Sequence, residues 1–560
     1  MALNRIVFEP NPKEIISCVG LLKSFQKKTQ KSSWLLGVSP LALAACGGGG
    51  GGTSSNGDTS EDQSIVSPIP DIVVDETAQV FSFSEQFTSK VGYTGTAYKV
   101  YTEGTTETAF ENDDFSLPVI KVAADLNNDG YDDILVDFSD TMVEPDILIN
   151  DGTGNFDQRL EISGDGNPRT IRNTSVEDLN GDGYLDIVAY TSPHPTHSDV
   201  LGPDWGMSEP DLIFYNNAGA SFTAIALFPE TYNHGGDHGD LNGDGVYEIF
   251  SLAEWPPAPI MEGNDYRGLL VQENGVFVRS EYTLPEQFDD LVTSDMRIAD
   301  INGDGFDDLI IATSPRYKLD DGLYSNANST PDDAREVGSF KVGISDGTLE
   351  ISNYSWSTYG SFPMSNEDWE AFKASNKAPE GTDMYEGSGS MAGVSNIELL
   401  DINGDGLLDV VVGYYVQYNT DWTTSDFDIF INEGGTFVNA TEVYFPDQSS
   451  NENVLEATKS NWNFYLNDID GDGDKDFSIY SKTVDIDFMY EGEKSSTIFI
   501  NDGGVFYPVD RSDLSTEAQV AISDLMPANL DGEGPIDFVQ LSKNPNDTWD
   551  LISHVNTEIM

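Results

Sequence analysis

Short apolar runs recur along most of the chain, and each follows an acidic loop that contains glycine. The runs at residues 134–138, 187–190, 309–313 and 410–415 are rich in β-branched, leucine and aromatic side chains. Runs of this length between turn residues are typical of buried strands. A second run follows and ends in a glycine turn, usually with an aromatic residue, at residues 146–156, 211–222, 269–277, 428–437 and 497–506. Each unit is therefore predicted to be strand, acidic loop, strand, long loop, strand, glycine turn and strand.

The acidic loop is a nonapeptide that occurs seven times, and its copies are termed loops 1 to 7. They begin at residues 125, 178, 240, 300, 401, 468 and 529, at spacings of 53, 62, 60, 101, 67 and 61 residues. Oxygen-bearing side chains occupy positions 1, 3, 5 and 9, and glycine always occupies position 6, where it permits a sharp turn. Repetition with this period predicts an array of similar supersecondary units.

The oxygen-rich loops are typical of calcium ligation. Four oxygen side chains and the carbonyl of position 7 supply the roughly seven-coordinate shell that calcium prefers. An EF-hand loop is longer, ends in Glu at position 12 and leads into a helix, whereas these loops lead into strands. One such loop is equally consistent with a solvated turn, but repetition favours metal binding. The predicted ligands are Asp125, Asn127, Asp129, Tyr131, Asp133, Asp178, Asn180, Asp182, Tyr184, Asp186, Asp240, Asn242, Asp244, Val246, Glu248, Asp300, Asn302, Asp304, Phe306, Asp308, Asp401, Asn403, Asp405, Leu407, Asp409, Asp468, Asp470, Asp472, Asp474, Asp476, Asn529, Asp531, Glu533 and Asp537.

Seven units of four antiparallel strands predict an all-β fold, a seven-bladed β-propeller. The nonapeptide with its flanking strands resembles the FG-GAP or VCBS repeat, as in the propeller of the integrin α subunit, over about residues 78–560. The resemblance implies several structural calcium ions in the loops between first and second strands, and adhesion only by analogy of fold. Loop 7 has Asn529 at position 1 and Pro535 at position 7, so the sequence leaves open whether it holds an ion.

The last unit has no fourth strand of its own. Residues 549–554 form its predicted third strand, close to the end of the sequence. An N-terminal segment, near residues 79–84 or near residues 97–102, is predicted to supply the missing strand and to close the ring, because closure removes exposed sheet edges.

The two faces of the predicted ring carry different loops. Acidic loops and glycine turns share one face, and the loops between second and third strands, or between blades, share the opposite face, termed the long-loop face. These loops lie at about 191–210, 254–266, 313–337, 417–426 and 482–495, with an insertion at about 353–393. Long loops on a rigid scaffold commonly bind ligands, and aromatic rings suit sugars or proteins. Alternatively, the rings pack the loops onto the blades. The tryptophans assigned to this face are Trp205, Trp255, Trp356, Trp369 and Trp422.

Four of the five histidines lie close together in sequence, at His194, His197, His234 and His238. Their spacing is that of metal-binding pairs, and imidazole suits zinc, copper, iron or nickel. The four are predicted to meet near the long-loop face and the central channel, with Asp237 beside them, and to hold one transition metal. Such a site would be the best candidate for catalysis. The alternative is a polar loop with scattered histidines and a strand-end hydrogen bond for His238.

The net charge of the chain argues against some classes of binding partner. The chain has 27 Lys+Arg and 97 Asp+Glu, which gives 27 − 97 = −70. This balance argues against nucleic acid and against docking on anionic lipid, since both require basic residues. No P-loop or nucleotide-binding glycine loop is present.

The N-terminal 45 residues are predicted to be a lipoprotein signal peptide. Lys27, Lys28 and Lys31 precede an apolar segment, residues 34–43, that is too short to span a bilayer. Residues 43–46, Leu-Ala-Ala-Cys, resemble the bacterial lipobox, which implies a lipid on Cys46 and anchoring at the cell envelope, by analogy at the outer membrane. An ordinary signal peptide or a short anchor is the alternative. Residues 46–77 begin with Cys46 and six glycines and are predicted to be a flexible tether.

Two main functions are consistent with these features. One is a monomeric, surface-anchored, calcium-stabilised propeller that binds an extracellular glycan or protein through the long-loop face. The other is an extracellular saccharide-active enzyme, of lyase or dehydratase type, with a metal on the histidine cluster. A purely structural surface protein is a third alternative.

Overall fold

A computed structural model of the chain contains seven four-stranded antiparallel blades arranged in a ring, as the repeat predicts. The chain divides into residues 1–70 and 71–560, and every described residue belongs to the second unit. The predicted signal peptide, Cys46 and the tether lie outside the described residues. The structure describes residues 83–557 except residues 97, 100–114, 117, 139–143, 165–170, 192–209, 228–231, 256–266, 289–290, 316, 319–323, 326–337, 363–390, 419–421, 447–461, 482–497, 510–524 and 545–547.

The described residues before the first blade form one helical turn and three strands. The helical turn is Phe83–Gln86, and the strands are β1 (Phe87–Thr96), β2 (Tyr98–Lys99) and β3 (Phe115–Ser116). Strands β2 and β3 pair only with each other among the described residues.

Blades 1 to 3 follow in chain order, and the first strand of each lies innermost, against the first strands of its neighbours. Blade 1 consists of β4 (Pro118–Ala124), β5 (Asp133–Phe138), β6 (Asp146–Ile149) and β7 (Gln158–Leu160). After β8 (Ile162–Gly164), blade 2 consists of β9 (Ile171–Glu177), β10 (Asp186–Thr191), β11 (Leu212–Asn216) and β12 (Phe222–Ala226). Strand β8 pairs in parallel with β12 and adds a fifth strand to this sheet. Blade 3 consists of β13 (Tyr232–Gly239), β14 (Glu248–Trp255), β15 (Gly268–Glu273) and β16 (Val276–Arg279).

Blades 4 to 6 repeat the arrangement. Blade 4 consists of β17 (Leu291–Ala299), β18 (Asp308–Pro315), β21 (Ser339–Ile344) and β22 (Ser355–Tyr359), with the short pair β19 (Tyr317–Lys318) and β20 (Tyr324–Ser325) between β18 and β21. Blade 5 consists of β23 (Met391–Leu400), β24 (Asp409–Tyr418), β25 (Trp422–Asn432) and β26 (Phe437–Asn439). Blade 6 consists of β27 (Trp462–Asn467), β28 (Asp476–Ser481), β29 (Ile498–Asp502) and β30 (Val505–Pro508). The remaining helical turns are Glu286–Phe288, Ile351–Asn353 and Thr441–Tyr444. Across the described ranges, no helix is both long and apolar enough to cross a bilayer.

Blade 7 is built from both ends of the unit, which confirms the predicted closure by an N-terminal strand. Its strands are β31 (Met526–Ala528), β32 (Asp537–Asn544) and β33 (Thr548–Asn556), and β1 pairs antiparallel with β33 as the outer strand. The location within the N-terminus was predicted wrongly. The closing strand is Phe87–Thr96, which lies between the two segments expected, and the helical turn Phe83–Gln86 occupies part of the earlier segment.

Seven buried apolar clusters hold the ring together, one at each interface between neighbouring blades. Successive residues of a second strand point alternately to the two neighbours, so both faces of the strand are buried. In β18, Ile310 and Ala312 pack toward blade 5, whereas Leu309 and Ile311 pack toward blade 3. This two-sided burial explains why the second strands are continuous apolar runs.

The closing strand is also held by a buried histidine. His554 of β33 hydrogen-bonds through Nδ1 to Ser89 Oγ of β1 at 2.7 Å and through Nε2 to Gln540 Oε1 of β32 at 3.1 Å. Burial lowers the pKa of His554 to about 4, because the charged imidazolium is excluded from the apolar interior.

We expect this histidine to make blade 7 sensitive to acid. In the unfolded chain the imidazole takes up a proton near pH 6.5, whereas in the folded blade its pKa is about 4. Stability is therefore complete above pH 6.5 and is lost as the pH falls towards 4, by about 2 kcal/mol at pH 5. Urea unfolding at pH 7.5 and pH 5 measures this loss. His554→Gln is the control, because its pH dependence lacks this contribution. Equal pH dependence in both proteins would contradict the assignment.

Candidate metal centres of the repeated loops

Each acidic loop joins the innermost strand of a blade to its second strand, so all seven lie on one face of the ring. In blade 1, loop 1 (residues 125–133) leaves β4 and enters β5 at Asp133. Glycine at position 6 has a positive φ in every loop, for example +95° at Gly130 and +91° at Gly305. Residues that have a Cβ rarely adopt this backbone conformation, which explains why glycine recurs at position 6 of the loops.

Hydrogen bonds to the backbone fix the oxygen-bearing side chains of loop 1. Asp125 accepts the N–H of Asp129 on Oδ1 at 3.1 Å and the N–H of Gly130 on Oδ2 at 2.9 Å. Asn127 Oδ1 accepts the same Asp129 N–H at 2.9 Å, and Asp129 Oδ1 accepts the N–H of Tyr131 at 3.0 Å. The turn therefore gathers the oxygens of positions 1, 3 and 5, and loops 2 to 6 repeat the same bonds from position 6 to position 1 and from position 7 to position 5.

The carboxylate at position 9 is buried and anchors the loop. Asp133 is fully buried, accepts the N–H of Leu126 on Oδ2 at 3.2 Å and accepts the N–H of Asn150 on Oδ1 at 2.9 Å. Burial is the main cause that raises the pKa of every position-9 carboxyl, and nearby loop carboxylates add to it. The raised pKa values are about 7 for Asp133, Asp186, Asp308 and Asp476, about 6 for Asp409 and Asp537, and about 8 for Glu248.

These loops have the chemistry to hold a hard divalent cation. Their side-chain donors are oxygens of Asp, Asn or Glu, which are the ligands that calcium prefers. In loop 6, one oxygen from each of Asp468, Asp470 and Asp476 lies within 4.8 Å of the others. A bound cation would supply the positive charge that these converging carboxylates lack. The residues present therefore fit calcium.

A side chain near the end of the third strand links most blades to the preceding loop. Asn432 Nδ2, for example, donates to Ile301 O of loop 4 at 2.8 Å, while its backbone N–H donates to Asp409 of its own loop. Sequence reasoning did not identify these residues, although the Asn before the glycine turn recurs and could have indicated them. The interblade donors are Asn150, Asn216, Gln272, Ser345, Asn432 and Asn556, at 2.7–3.2 Å from the acceptor carbonyl.

Of the four histidines predicted to bind a metal, the structure describes the side chain of His238. Strand β13 runs from the long-loop face to the acidic-loop face, and His238 pairs with Ile249, one residue from position 9 of loop 3. His238 therefore lies at the far end of the blade from the long-loop face, where its Nε2 is 3.7 Å from Glu177 and its Nδ1 is 3.5 Å from Asp237. His194 and His197 lie outside the described residues, as does the side chain of His234.

The predicted aromatic face is only partly described. Trp255 ends β14 and Trp422 begins β25, so the backbone of both lies at the long-loop end of its blade, but their side chains are not described. Trp205 and Trp369 lie outside the described residues. Trp356 was placed wrongly, because it belongs to the outer strand β22, where it pairs with Gly343 near the acidic-loop end. Its ring packs edge-on against Phe288 at 4.8 Å.

A charged cluster beside the central channel was not predicted. Arg297 of β17 donates to Asp295 at 3.0 Å and to Glu398 of blade 5 at 2.8 Å. Asn173 of blade 2 donates to the same Asp295 Oδ1 at 2.8 Å, which joins blades 2 and 4 across the innermost strand of blade 3. Burial of the guanidinium lowers the pKa of Arg297, but the negative charges of Asp295 and Glu398 raise it by more. The pKa of Arg297 is therefore above its ordinary value. The cluster ties inner strands together.

Comparison with known proteins agrees with the fold. An FG-GAP-like repeat model matches residues 125–189 and 401–479. No curated protein has significant sequence similarity to the chain. Among solved structures, rhamnogalacturonan lyase YesW matches with 13% identity and a TM-score of 0.31 over 83% of this chain and 75% of its own. The exotype rhamnogalacturonan lyase YesX matches with 14% identity and a TM-score of 0.33 over 83% of this chain and 76% of its own. The sialidase of Trypanosoma rangeli matches with 10% identity and a TM-score of 0.29 over 73% of this chain and 57% of its own. Similarity at this level carries no argument about ligand or activity.

Proposed function

We propose that this chain, whose seven-bladed propeller carries FG-GAP-like repeats, is a calcium-stabilised binding module that recognises an extracellular glycan or protein. In this proposal the chain is exported and held at the bacterial cell envelope, at the outer membrane, by a lipid on Cys46. The tether of residues 46–77 separates the propeller from the membrane surface.

One observation carries the calcium part of the proposal. In loops 1 to 6, the same backbone hydrogen bonds orient the carboxylates at positions 1 and 5, and a buried carboxylate stands at position 9. Burial is the main cause that raises the pKa of the position-9 carboxyls, and repulsion from the neighbouring loop carboxylates adds to it. Calcium would relieve that repulsion, so the ions would stabilise the ring rather than take part in a reaction.

The assignment of ligand binding to the long-loop face rests on topology. The acidic loops occupy the other face with short, hydrogen-bonded turns, and two tryptophans begin or end strands at the long-loop end. Loops on a rigid β scaffold are the common place for recognition, and exposed aromatic rings stack on sugars or anchor proteins. The strongly negative chain, with a formal charge of −70, favours neutral or basic ligands over nucleic acid.

The alternative, a saccharide-active enzyme of lyase or dehydratase type, relied on a transition metal held by four histidines. His238 lies at the acidic-loop end of blade 3, between Glu177 and Asp237. This position is away from the long-loop face, where the four histidines were predicted to meet, so it does not support the alternative.

Tryptophan variants on opposite ends of the blades test the binding face. We expect the fluorescently labelled chain to bind a subset of an extracellular glycan or protein array, and Trp422→Ala to weaken that binding at least tenfold, because loss of a tryptophan that anchors a ligand costs about 2 kcal/mol or more. Trp356→Phe is the matched control, because its ring lies against Phe288 near the acidic-loop end, and we expect unchanged binding. Loss of binding in Trp356→Phe, with Trp422→Ala unaffected, would place the ligand on the other face.

A further inference from the structure

Loop 7 (residues 529–537) departs from the other six loops in two hydrogen bonds. In loops 1 to 6, Oδ2 of the position-1 Asp accepts the N–H of the position-6 Gly at 2.8–3.1 Å. The position-7 N–H then donates to the position-5 Asp at 2.8–3.0 Å. Position 7 of loop 7 is Pro535, which has no N–H, so the bond that orients the position-5 carboxylate cannot form. Glu533 at position 5 is also longer by one methylene.

The residue at position 1 of loop 7 is turned toward the neighbouring blade. Asn529 Oδ1 accepts the N–H of Gly532 at 2.9 Å within the loop. Its amide nitrogen Nδ2 donates instead to Gly130 O of loop 1 at 3.1 Å, a bond that an aspartate cannot make. The backbone strengthens the same junction, since Asn529 N–H donates to Asp132 Oδ2 at 2.8 Å and Asn529 O accepts the N–H of Asp132 at 2.7 Å.

Loop 7 is held on its other side as well. Ile536 N–H donates to Asp468 O of loop 6 at 3.0 Å. The ring of Pro535 lies so close to Gly471 that a Cβ there would be 3.0 Å from Pro535 Cγ. Loops 3 and 4 share a backbone pair of the same kind, between Asp240 and Asp307, but there position 1 keeps its aspartate and Gly245 N–H still donates to it. Loop 1 also donates a side-chain bond to its neighbour, from Asn128 at position 4 to Gly183 O of loop 2 at 2.6 Å. The specific feature of loop 7 is that its bond comes from the side chain at position 1.

We propose that loop 7 holds no calcium and acts as a hydrogen-bonded clasp between loops 6 and 1, so that the chain binds six calcium ions and not seven. The inference rests on the proposed calcium loops, and it assigns the metal-independent position to the loop whose position-1 side chain donates to a neighbouring loop. Three changes favour this role: an amide in place of a carboxylate at position 1, a longer acid at position 5, and proline at position 7.

The calcium content of matched variants tests the proposal. The purified chain without a histidine tag is equilibrated with calcium alone, passed through a desalting column and counted by elemental analysis. We expect six ions in the natural sequence, six in Glu533→Ala of loop 7 and five in Asp472→Ala, which changes the same position of loop 6. Loss of one ion in Glu533→Ala would overturn the clasp while leaving the proposed function intact. Absence of calcium from the natural sequence would overturn both.

A second measurement, of the Tm with calcium and with EGTA, tests the hydrogen bond of Asn529 without counting ions. Asn529→Ala removes the bond to Gly130 O, and we expect it to lower the Tm by about 1–2 °C equally with calcium and with EGTA. Asp472→Ala, in contrast, should lower the Tm with calcium but have little effect once EGTA has emptied the loops. A decrease in Asn529→Ala that disappears in EGTA would show that loop 7 acts through a bound ion.

Discussion

Chelation of calcium with EGTA is expected to lower the Tm of the propeller by about 15 °C. Any ligand that binds only the folded state stabilises it, by about 2.7 kcal/mol when its free concentration is 100 times its Kd. Six such ions add on the order of 16 kcal/mol, and the entropy of unfolding of a domain this large converts that into about 15 °C. The physical reason is local, because the removal of calcium leaves converging carboxylates such as Asp468, Asp470 and Asp476 without a counterion.

Differential scanning calorimetry with 1 mM calcium, with EGTA, and with EGTA followed by excess calcium measures this effect. The last sample is the control for reversibility, and its Tm should return to that of the first. A parallel sample with EGTA and magnesium separates a specific requirement for calcium from a general effect of divalent charge, since magnesium demands tighter octahedral geometry. If elemental analysis confirms that EGTA removed the ions and the Tm is unchanged, calcium does not stabilise the fold.

The second large effect is expected at the strand that closes the ring. A Cβ added to Gly95 of β1 would lie 2.3 Å from Cε2 of Trp549 on β33, far inside van der Waals contact. Trp549 is 1% exposed and packs beside Tyr93 and Phe138 at ring distances of 5.5 and 6.0 Å, so it has no free space to retreat into. We expect Gly95→Ala to cost about 3 kcal/mol of unfolding free energy, which is typical of overpacking in a core. Urea unfolding followed by tryptophan fluorescence provides the measurement.

A control in the same strand and a double-mutant cycle make this test specific. Val91 of β1 is 56% exposed, so Val91→Ala should change stability by less than about 0.5 kcal/mol. In the background of Trp549→Phe, which leaves a smaller ring at the contact, Gly95→Ala should cost much less than in the natural sequence. Additive effects of the two substitutions would mean that Gly95 and Trp549 do not compete for the same space.

The repeat made the architecture predictable from sequence. Glycine at position 6 and the acid at position 9 mark where each loop turns and where each second strand begins, as at Asp308 for β18. The apolar run that follows has both faces buried, so its burial could be inferred without knowledge of its neighbours. Seven repeats with these signals define seven blades, and the absence of a fourth strand in the last unit predicted the closure.

The errors occurred where a pattern was weak or where strand direction mattered. Strand β1, Phe-Thr-Ser-Lys-Val-Gly-Tyr-Thr-Gly-Thr, is an outer strand with few buried apolar side chains, so it has little periodic signal. Trp356 lies before the insertion, because β22 at residues 355–359 completes blade 4 first. His238 is two residues before loop 3, so the innermost strand ends rather than begins near it.

The recurring Asn before the glycine turn marks a candidate donor, but its partner in another repeat could not be identified from the sequence. Asn432 donates across 131 residues to Ile301 O, and Asn529 across 399 residues to Gly130 O. Nothing in the local sequence of either asparagine distinguishes a bond within its own loop from a bond to a neighbouring blade. The first contact depends on the packing of successive blades, and the second depends on ring closure, which places the first and last repeats side by side.

The pairing of β1 with β33 also has a consequence for how the chain reaches its folded state. Phe87 pairs with Asn556, and their separation of 556 − 87 = 469 residues is nearly the whole length of the propeller. Contacts this distant in sequence form slowly, because the entropy of closing so large a loop must be overcome before they contribute. During synthesis blades 1 to 6 can assemble progressively, but β1 has no partner until residues 548–556 have emerged. Until then β33 is absent and the ring is an open arc, so the last step of folding is the one most exposed to proteolysis and to pairing with a second chain.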